Sequence, residues 1–361
     1  MKKMPSLTGI RAVAALWVMF FHMSENFHWN FTSPFLAKGY LGVDLFFILS
    51  GFIISYVHQH EFMRFSVETT KRFLLLRCAR IFPVHWLMLV TLLGIWFLSK
   101  DVFLIPLGHP ERYNAQDFIL HLLNIQDWGF SPHYSWNIPA WSVSAEWFVY
   151  LLFPFITPII SRMKRFWANL ALIGFSFAFL WGYSQVNHLP NLDLSFEHGL
   201  VRCVAEFIMG CALFNLHQLE PAESNAGLHT VRSGLVYPAL GGLAISLAFS
   251  WPDRVVVLFL VLLIFALGTG RTWVHQWLSG GFAVFLGEIS YSIYMAHGNC
   301  ITIVHQLNRK FPVLTAQASW QNLGVNIGFM LAVILIAYGL YKTVELPSRN
   351  LARASLSGQK K

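Results

Sequence analysis

The sequence predicts an all-α, polytopic membrane helix bundle of about ten transmembrane helices with both termini cytoplasmic. Three observations predict it. The 361 residues are 56% hydrophobic and only 12% charged, where a soluble domain carries roughly 25% charged residues. Mean hydropathy is +0.54, with apolar stretches long enough to cross a bilayer recurring along the chain. The basic residues fall in alternate loops, the charge pattern of membrane topology. With about 20 residues per crossing and short connections, ten spans use the whole length. Residues 1–350 are therefore expected to form one membrane domain, and 351–361 a basic cytoplasmic tail without order.

Spans are expected near residues 8–26, 39–57, 83–98, 145–160, 166–185, 198–217, 234–249, 254–269, 282–306 and 322–341. Lys2 and Lys3 before an apolar run imitate a secretory signal, but no small-x-small cleavage site follows before His22, so a retained first span is expected. The ten-span count puts Lys2, Lys3, Arg64, Lys71, Arg72, Arg77, Arg80, Arg162, Lys164, Arg165, Arg232, Arg271, Lys342, Arg349, Arg353, Lys360 and Lys361 on the terminal side, opposite Lys38, Lys100, Arg112, Arg254, Arg309 and Lys310. That excess makes the terminal side cytoplasmic, and the expected location is a cell inner (plasma) membrane. Within the first inner loop, 58–82, the stretch from Lys71 to Arg80 alternates basic and apolar groups like an interfacial helix, and Pro83 then begins the third span. The longest outer connection, 99–144, has the length of a binding loop or lid.

Two function classes drop out early. The net charge of +8 forms no single patch, so nucleic acid is not an expected partner. Cys78, Cys203, Cys211 and Cys300 lack Cys-x-x-Cys spacing and read as small buried hydrophobes, and no metal site is expected.

Ionisable groups inside spans cost a few kcal/mol each and tend to face functional cavities. Arg11 and His22 bracket the first span. At 3.6 residues per turn their separation of eleven residues is three turns plus about 20°, so they share a face, about 16 Å apart. One elongated ligand can touch both; the plainer alternative is Arg11 snorkelling to headgroups and His22 marking the outer interface. Asp44 can orient or neutralise His22, or simply begin an outer helix turn. Ser50-Gly51 suits close helix packing. Arg77 and Arg80, three apart on one face, can fork onto phosphates or onto anionic lipid. Glu146 has no capping-box partner, because position 143 is Val, and it shares a face with Tyr150. At the outer mouth it can bind a sugar hydroxyl or raise the basicity of His22. Ser290, Tyr294 and His297 form one stripe, for packing or for chemistry. Glu345-Leu-Pro347 ends the tenth span at its inner end, as a functional acid or as a proline helix stop with a nearby exposed acid. Trp128, Tyr134, Trp136 and Trp141 suit stacking on sugar rings or membrane anchoring.

Taken in register, Arg11-x10-His22, Phe46-Phe-Ile-Leu-Ser50-Gly51, Arg77-x-x-Arg80-Ile-Phe-Pro83, Asn137-x-Pro139-x-Trp141-Ser142-x-Ser144-x-Glu146, Ser290-Tyr291-Ser-Ile-Tyr294-x-x-His297 and Glu345-x-Pro347 resemble the acyltransferase family 3 membrane proteins. The match runs from residue 6 to about 350. The resemblance implies a ten-helix bundle that moves an acyl group, usually acetyl, from cytoplasmic acyl-CoA to a hydroxyl of an extracytoplasmic glycan, lipid-linked sugar or similar acceptor. It implies that Arg11 and His22 are essential, that Arg77 and Arg80 with Arg11 hold the CoA end, and that Glu146 belongs to the outer site. His22 would act as base or acyl carrier, helped by Asp44, Glu146 or His297, and Trp141, Ser142, Glu146, Tyr150 and Tyr294 would face the acceptor. Acyl-CoA would be a co-substrate, with no permanently bound cofactor. Gly298-Asn299 follows His297 where the family often has proline, and no esterase-like domain is expected after the tenth span. Two competing classes keep the same polar residues. A transporter or flippase would line a solute path with them, although no repeat or paired broken spans are seen, and a non-catalytic sensor or scaffold would tolerate their loss.

Overall fold

The computed structural model describes residues 4–27, 33–102, 104–105, 107–131, 133–189, 191–192, 197–219, 231–270, 272–310 and 319–358. Lys2, Lys3, Arg271, Lys360 and Lys361 lie outside them, so their expected sidedness does too.

The main helices are α1 (Pro5–Asn26), α2 (Gly42–His58), α3 (Val67–Phe97), α4 (Ala115–Leu123), α5 (Trp141–Ile160), α6 (Phe166–Val186), α7 (Gly199–Gln218), α8 (Val236–Ala248), α9 (Asp253–Leu267), α10 (Trp273–Leu278), α11 (Gly281–Glu288), α12 (Ser290–Lys310), α13 (Ser319–Leu340) and α14 (Leu346–Gly358). No strand occurs among the described residues. Among the described residues, eight segments are long and apolar enough to cross a membrane, by length and composition. The ten expected spans all coincide with helix. Of the two that fall short, α9 has only 15 residues, and the ninth breaks at Ile289 into α11 and a 21-residue α12 whose His297, Asn299, His305, Gln306 and Asn308 leave it too polar. At that break Ser290 Oγ donates to the Gly287 carbonyl, 2.8 Å away.

Small residues bring the central helices together. A Cβ on Gly51 would sit 2.0 Å from the Phe207 carbonyl oxygen, and one on Gly210 the same distance from that of Ile48. Helices α2 and α7 therefore touch backbone to backbone, as small residues allow where no hydrophobic force drives helices together in lipid. Around this pair lie the apolar clusters: α1, α2, α7 and α9 contribute to one, α2, α3, α5 and α12 to a second, and α1, α12 and α13 to a third.

Three local expectations change. Pro83 does not begin a helix; it lies inside the 31-residue α3, so the basic stretch 71–80 is the first half of the same rod. Proline in a membrane helix is tolerated where neighbours satisfy the freed carbonyls. Glu345-Leu-Pro347 is not a stop, since a π-helical turn, Tyr341–Glu345, leads directly into α14. The stretch expected to be an unordered tail is helical through Gly358.

Candidate active site

Two cavities occupy opposite ends of the α1 face that carries Arg11 and His22. The inner one, about 90 Å³, is lined by Arg11 of α1, Ser50 of α2, Arg77 and Arg80 of α3, Glu146 and Tyr150 of α5, and Tyr291 of α12, among apolar neighbours. Because α3 is continuous, Arg77 and Arg80 sit one turn apart on the face that α3 turns inward. The Arg77 guanidinium lies over the rings of Phe73 and Tyr150, with centroids 5.6 and 5.9 Å away, and its buried Nε has no hydrogen-bond partner. Among the described residues, Glu146 is the one carboxylate lining this cavity. It accepts from Ser50 Oγ at 2.6 Å and from the Tyr150 hydroxyl. The nearby Glu345 accepts from Ser292 at 3.0 Å and from Arg349 at 3.3 Å. Three guanidiniums against one already engaged carboxylate leave the cavity with an excess of positive charge in a low-dielectric setting, which favours an anionic ligand.

The outer cavity, about 730 Å³, is walled by the ends of α1 and α12 and by the 99–144 connection, and both His22 and His297 line it. Their rings approach to 3.1 Å between His22 Nδ1 and His297 Nε2. His297 Nδ1 lies 2.6 Å from the Tyr294 carbonyl. A carbonyl only accepts, so His297 Nδ1 carries the proton and its Nε2 a lone pair. His22 Nδ1 must then be the donor between the rings, which leaves His22 Nε2 as a proton acceptor.

A thin partition separates the cavities. Ser142 and Tyr294 line the inner one, whereas Pro139 and His297, each three residues away along the chain, line the outer one. The Ser142 and Tyr294 hydroxyls are 2.7 Å apart, and the Phe46 ring stands edge-on to Tyr294.

The long connection is stapled to the bundle by buried hydrogen bonds. Ser144 Oγ donates to the Asn124 carbonyl at 3.0 Å and accepts from the Asp127 amide at 3.2 Å. Asn124 and Gln126 donate to the Val143 and Ala140 carbonyls. On the α3 side, His85 Nε2 is 2.6 Å from the His121 carbonyl, and His121 Nε2 is 3.2 Å from Ser135 Oγ. Burial, with His85 beside it, holds the α4 residue His121 down to about 3. A neutral native imidazole with a depressed pKa stabilises the fold above the unfolded value near 6.5 and loses that contribution as pH falls toward about 3. Protection of α4 against amide exchange is accordingly expected to fall on acidification through this window, and less so in His121→Gln.

The structure separates several of the expected site residues. Asp44 does not face His22. Fully buried, it takes a two-point ion pair from Arg202, whose Nε is 3.0 Å from Oδ1 and whose Nη2 also contacts Oδ2. Glu146 and Tyr150 lie at the inner cavity rather than the outer mouth. Trp141 lines neither cavity; its ring packs on Phe47 and beneath the Arg202 guanidinium. Ser142 and Tyr294 form the partition. Arg11, Arg77 and Arg80 come together, and His22 meets His297. Arg202 and the equally buried Glu206 escaped the sequence reading, although their i, i+4 spacing inside an apolar helix was a readable signal. Removing one partner of a buried pair costs about 3 kcal/mol or more. Asp44→Ala is therefore expected to lower the unfolding midpoint sharply, and Asp44→Leu with Arg202→Met to recover much of the loss, as thermal unfolding in detergent will report.

The family model for the acyltransferase domain Acyl_transf_3 matches residues 4–342. The chain belongs to acyltransferase family 3. Among similar proteins, the acyltransferase MdmB of Streptomyces mycarofaciens is 26% identical over 373 residues, covering 95% of this chain and 90% of MdmB. The peptidoglycan O-acetyltransferase OatA of Listeria monocytogenes is 24% identical, covering 96% of this chain and 56% of OatA. The Staphylococcus aureus protein SAS0844 is 25% identical, with 84% and 52% covered. The chain thus spans about half the length of the staphylococcal and listerial relatives. No solved structure matches. As a family 3 member with several membrane-spanning helices and bacterial relatives, the chain is a multipass bacterial membrane protein.

Proposed function

We propose that this family 3 protein is a membrane-embedded O-acyltransferase that takes an acyl group, acetyl in the first instance, from acyl-CoA on the inner side and passes it to a hydroxyl of a glycan, lipid-linked sugar or similar acceptor on the outer side of the cell inner membrane. One observation carries the reading: a cluster of guanidiniums lines one cavity and a base-bearing histidine pair lines the other, and Arg11 and His22 on one face of α1 belong to each in turn. CoA phosphates would rest on Arg11, Arg77 and Arg80 through charge-assisted forks. The narrow pantetheine arm would run outward along α1 past the Ser142–Tyr294 partition, which must open for the thioester to reach His22. There His22 Nε2 would take the proton of the acceptor hydroxyl, with His297 holding the ring in the required tautomer, or would itself carry the acyl group. The thioester is already activated, so placement and a base account for most of what the protein must supply.

Glu146 then has an inner role. With Ser50 and Tyr150 it would hold the arginine cluster apart and orient it, and Glu146→Gln is expected to raise the donor KM more than it lowers kcat. The test of the function is direct. Purified protein in liposomes with labelled acetyl-CoA should move label into a glycan or lipid acceptor fraction, and His22→Ala should not. A labelled acyl-enzyme that is trapped in the wild type and lost in His22→Ala would select the carrier route. Absence of any transfer by the wild type would overturn the reading.

A further inference from the structure

Resting on that reading, we infer that Asn137 is the oxyanion donor of the outer site. Asn137 is 2% exposed and lines the same cavity as His22 and His297. Both its side-chain atoms, Nδ2 and Oδ1, are buried without a hydrogen-bond partner. A buried amide left unsatisfied costs free energy, so its persistence calls for a reason. The ordinary reason for Asn at this position is absent. Asn137 caps the short 3-10 turn Ile138–Ala140, yet its side chain accepts no capping hydrogen bond. Instead it lies against α12 one residue past His297, since a Cβ on Gly298 would meet Asn137 Oδ1 at 3.3 Å and Pro139 at 2.9 Å. Gly298 is what lets this turn lie against α12. The turn itself is held by Gln126, which donates to the Ala140 carbonyl at 3.0 Å, and by Ser144 through the loop. An unspent donor on a fixed scaffold, in the wall of the cavity that also holds the base, is the arrangement that stabilises a developing oxyanion without reorganising.

In the step assigned to it, the acceptor hydroxyl oxygen bonds to the thioester carbonyl carbon while its proton passes to His22 Nε2. The carbonyl π pair moves onto oxygen, and Asn137 Nδ2–H donates to that oxyanion. Collapse re-forms the carbonyl and breaks the C–S bond, and the His22 proton goes to the departing CoA thiolate. If His22 carries the acyl group, the same donor serves the tetrahedral species of each half-reaction.

The test compares Asn137→Leu, close in size but without polar atoms, and Asn137→Asp, close in shape but without a donor when ionised, with the wild type. The assay is labelled acetyl-CoA transfer into the membrane acceptor fraction. For Asn137→Leu, kcat is expected to fall by about 10²–10³-fold, with both KM values within about threefold of wild type. Its thermal midpoint should be no lower than wild type, because an unsatisfied amide has been removed. Asn137→Asp should be as inactive as Asn137→Leu or more so, since a carboxylate repels the oxyanion. A kcat within about threefold of wild type in Asn137→Leu would overturn the assignment. So would a loss confined to acceptor KM, or a lowered midpoint with activity recovered in Asn137→Asp. No transfer by the wild type would instead bring down the proposed function, and this role with it.

Discussion

Replacing His22 by alanine is expected to lower acyl transfer by about 10²–10⁴-fold, the usual contribution of a positioned general base. The fixed tautomer of His22 makes this the largest single effect. The Tyr294 carbonyl fixes the proton on His297 Nδ1, His297 Nε2 fixes the proton on His22 Nδ1, and the free lone pair at His22 Nε2 is the product of that chain. His297→Ala should reduce kcat too, by a smaller factor, because the base survives and only its orientation is released. Donor binding should be unchanged in both, since the arginine cluster lies across the partition. Equilibrium binding of desulfo-CoA, which carries the phosphates and no thioester, will check this separation; weaker binding in His22→Ala would count against it.

The second large effect concerns the cations. Hydrogen bonds to charged groups contribute about 1.5–3 kcal/mol each, so Arg77→Ala with Arg80→Ala is expected to raise the acyl-CoA KM by about 10²-fold or more while changing kcat much less. A truncated thioester, acetyl-pantetheine without the nucleotide phosphates, supplies the control. Its KM should be poor in the wild type and nearly unaffected by the double substitution. An unchanged acyl-CoA KM, or equal losses for both donors, would remove these arginines from phosphate binding.

What could be read from the sequence follows from what helical spacing encodes. The shared face of Arg11 and His22 and that of Arg77 and Arg80 are properties of single helices, and the cavities confirm that each pair faces the protein interior. Partners across helices are another matter. Asp44 looked like a neighbour for His22 because both sit near outer helix ends, yet it pairs with Arg202, 158 positions away in sequence. His297 looked as suited to packing as to chemistry, and only the approach of α12 to α1 puts it against His22. A fourth span beginning near residue 145 places Glu146 at the outer mouth; with α5 beginning at Trp141, Glu146 sits more than a turn inside and on the inner side of the partition. The usual preference of proline for helix starts puts Pro83 at one, a rule that yields when neighbouring helices satisfy the backbone. Periodicity shows which way a helix faces, and packing decides what it meets.

The central claim is that one helix joins a donor site on the inner side to an acceptor site on the outer side. Membrane vesicles of known orientation test it most directly, because CoA does not cross the bilayer. Given labelled acetyl-CoA in the medium, inside-out vesicles should transfer label to their enclosed glycan fraction, in wild type and not in His22→Ala, and right-side-out vesicles should transfer none. Equal labelling of right-side-out vesicles would contradict the account.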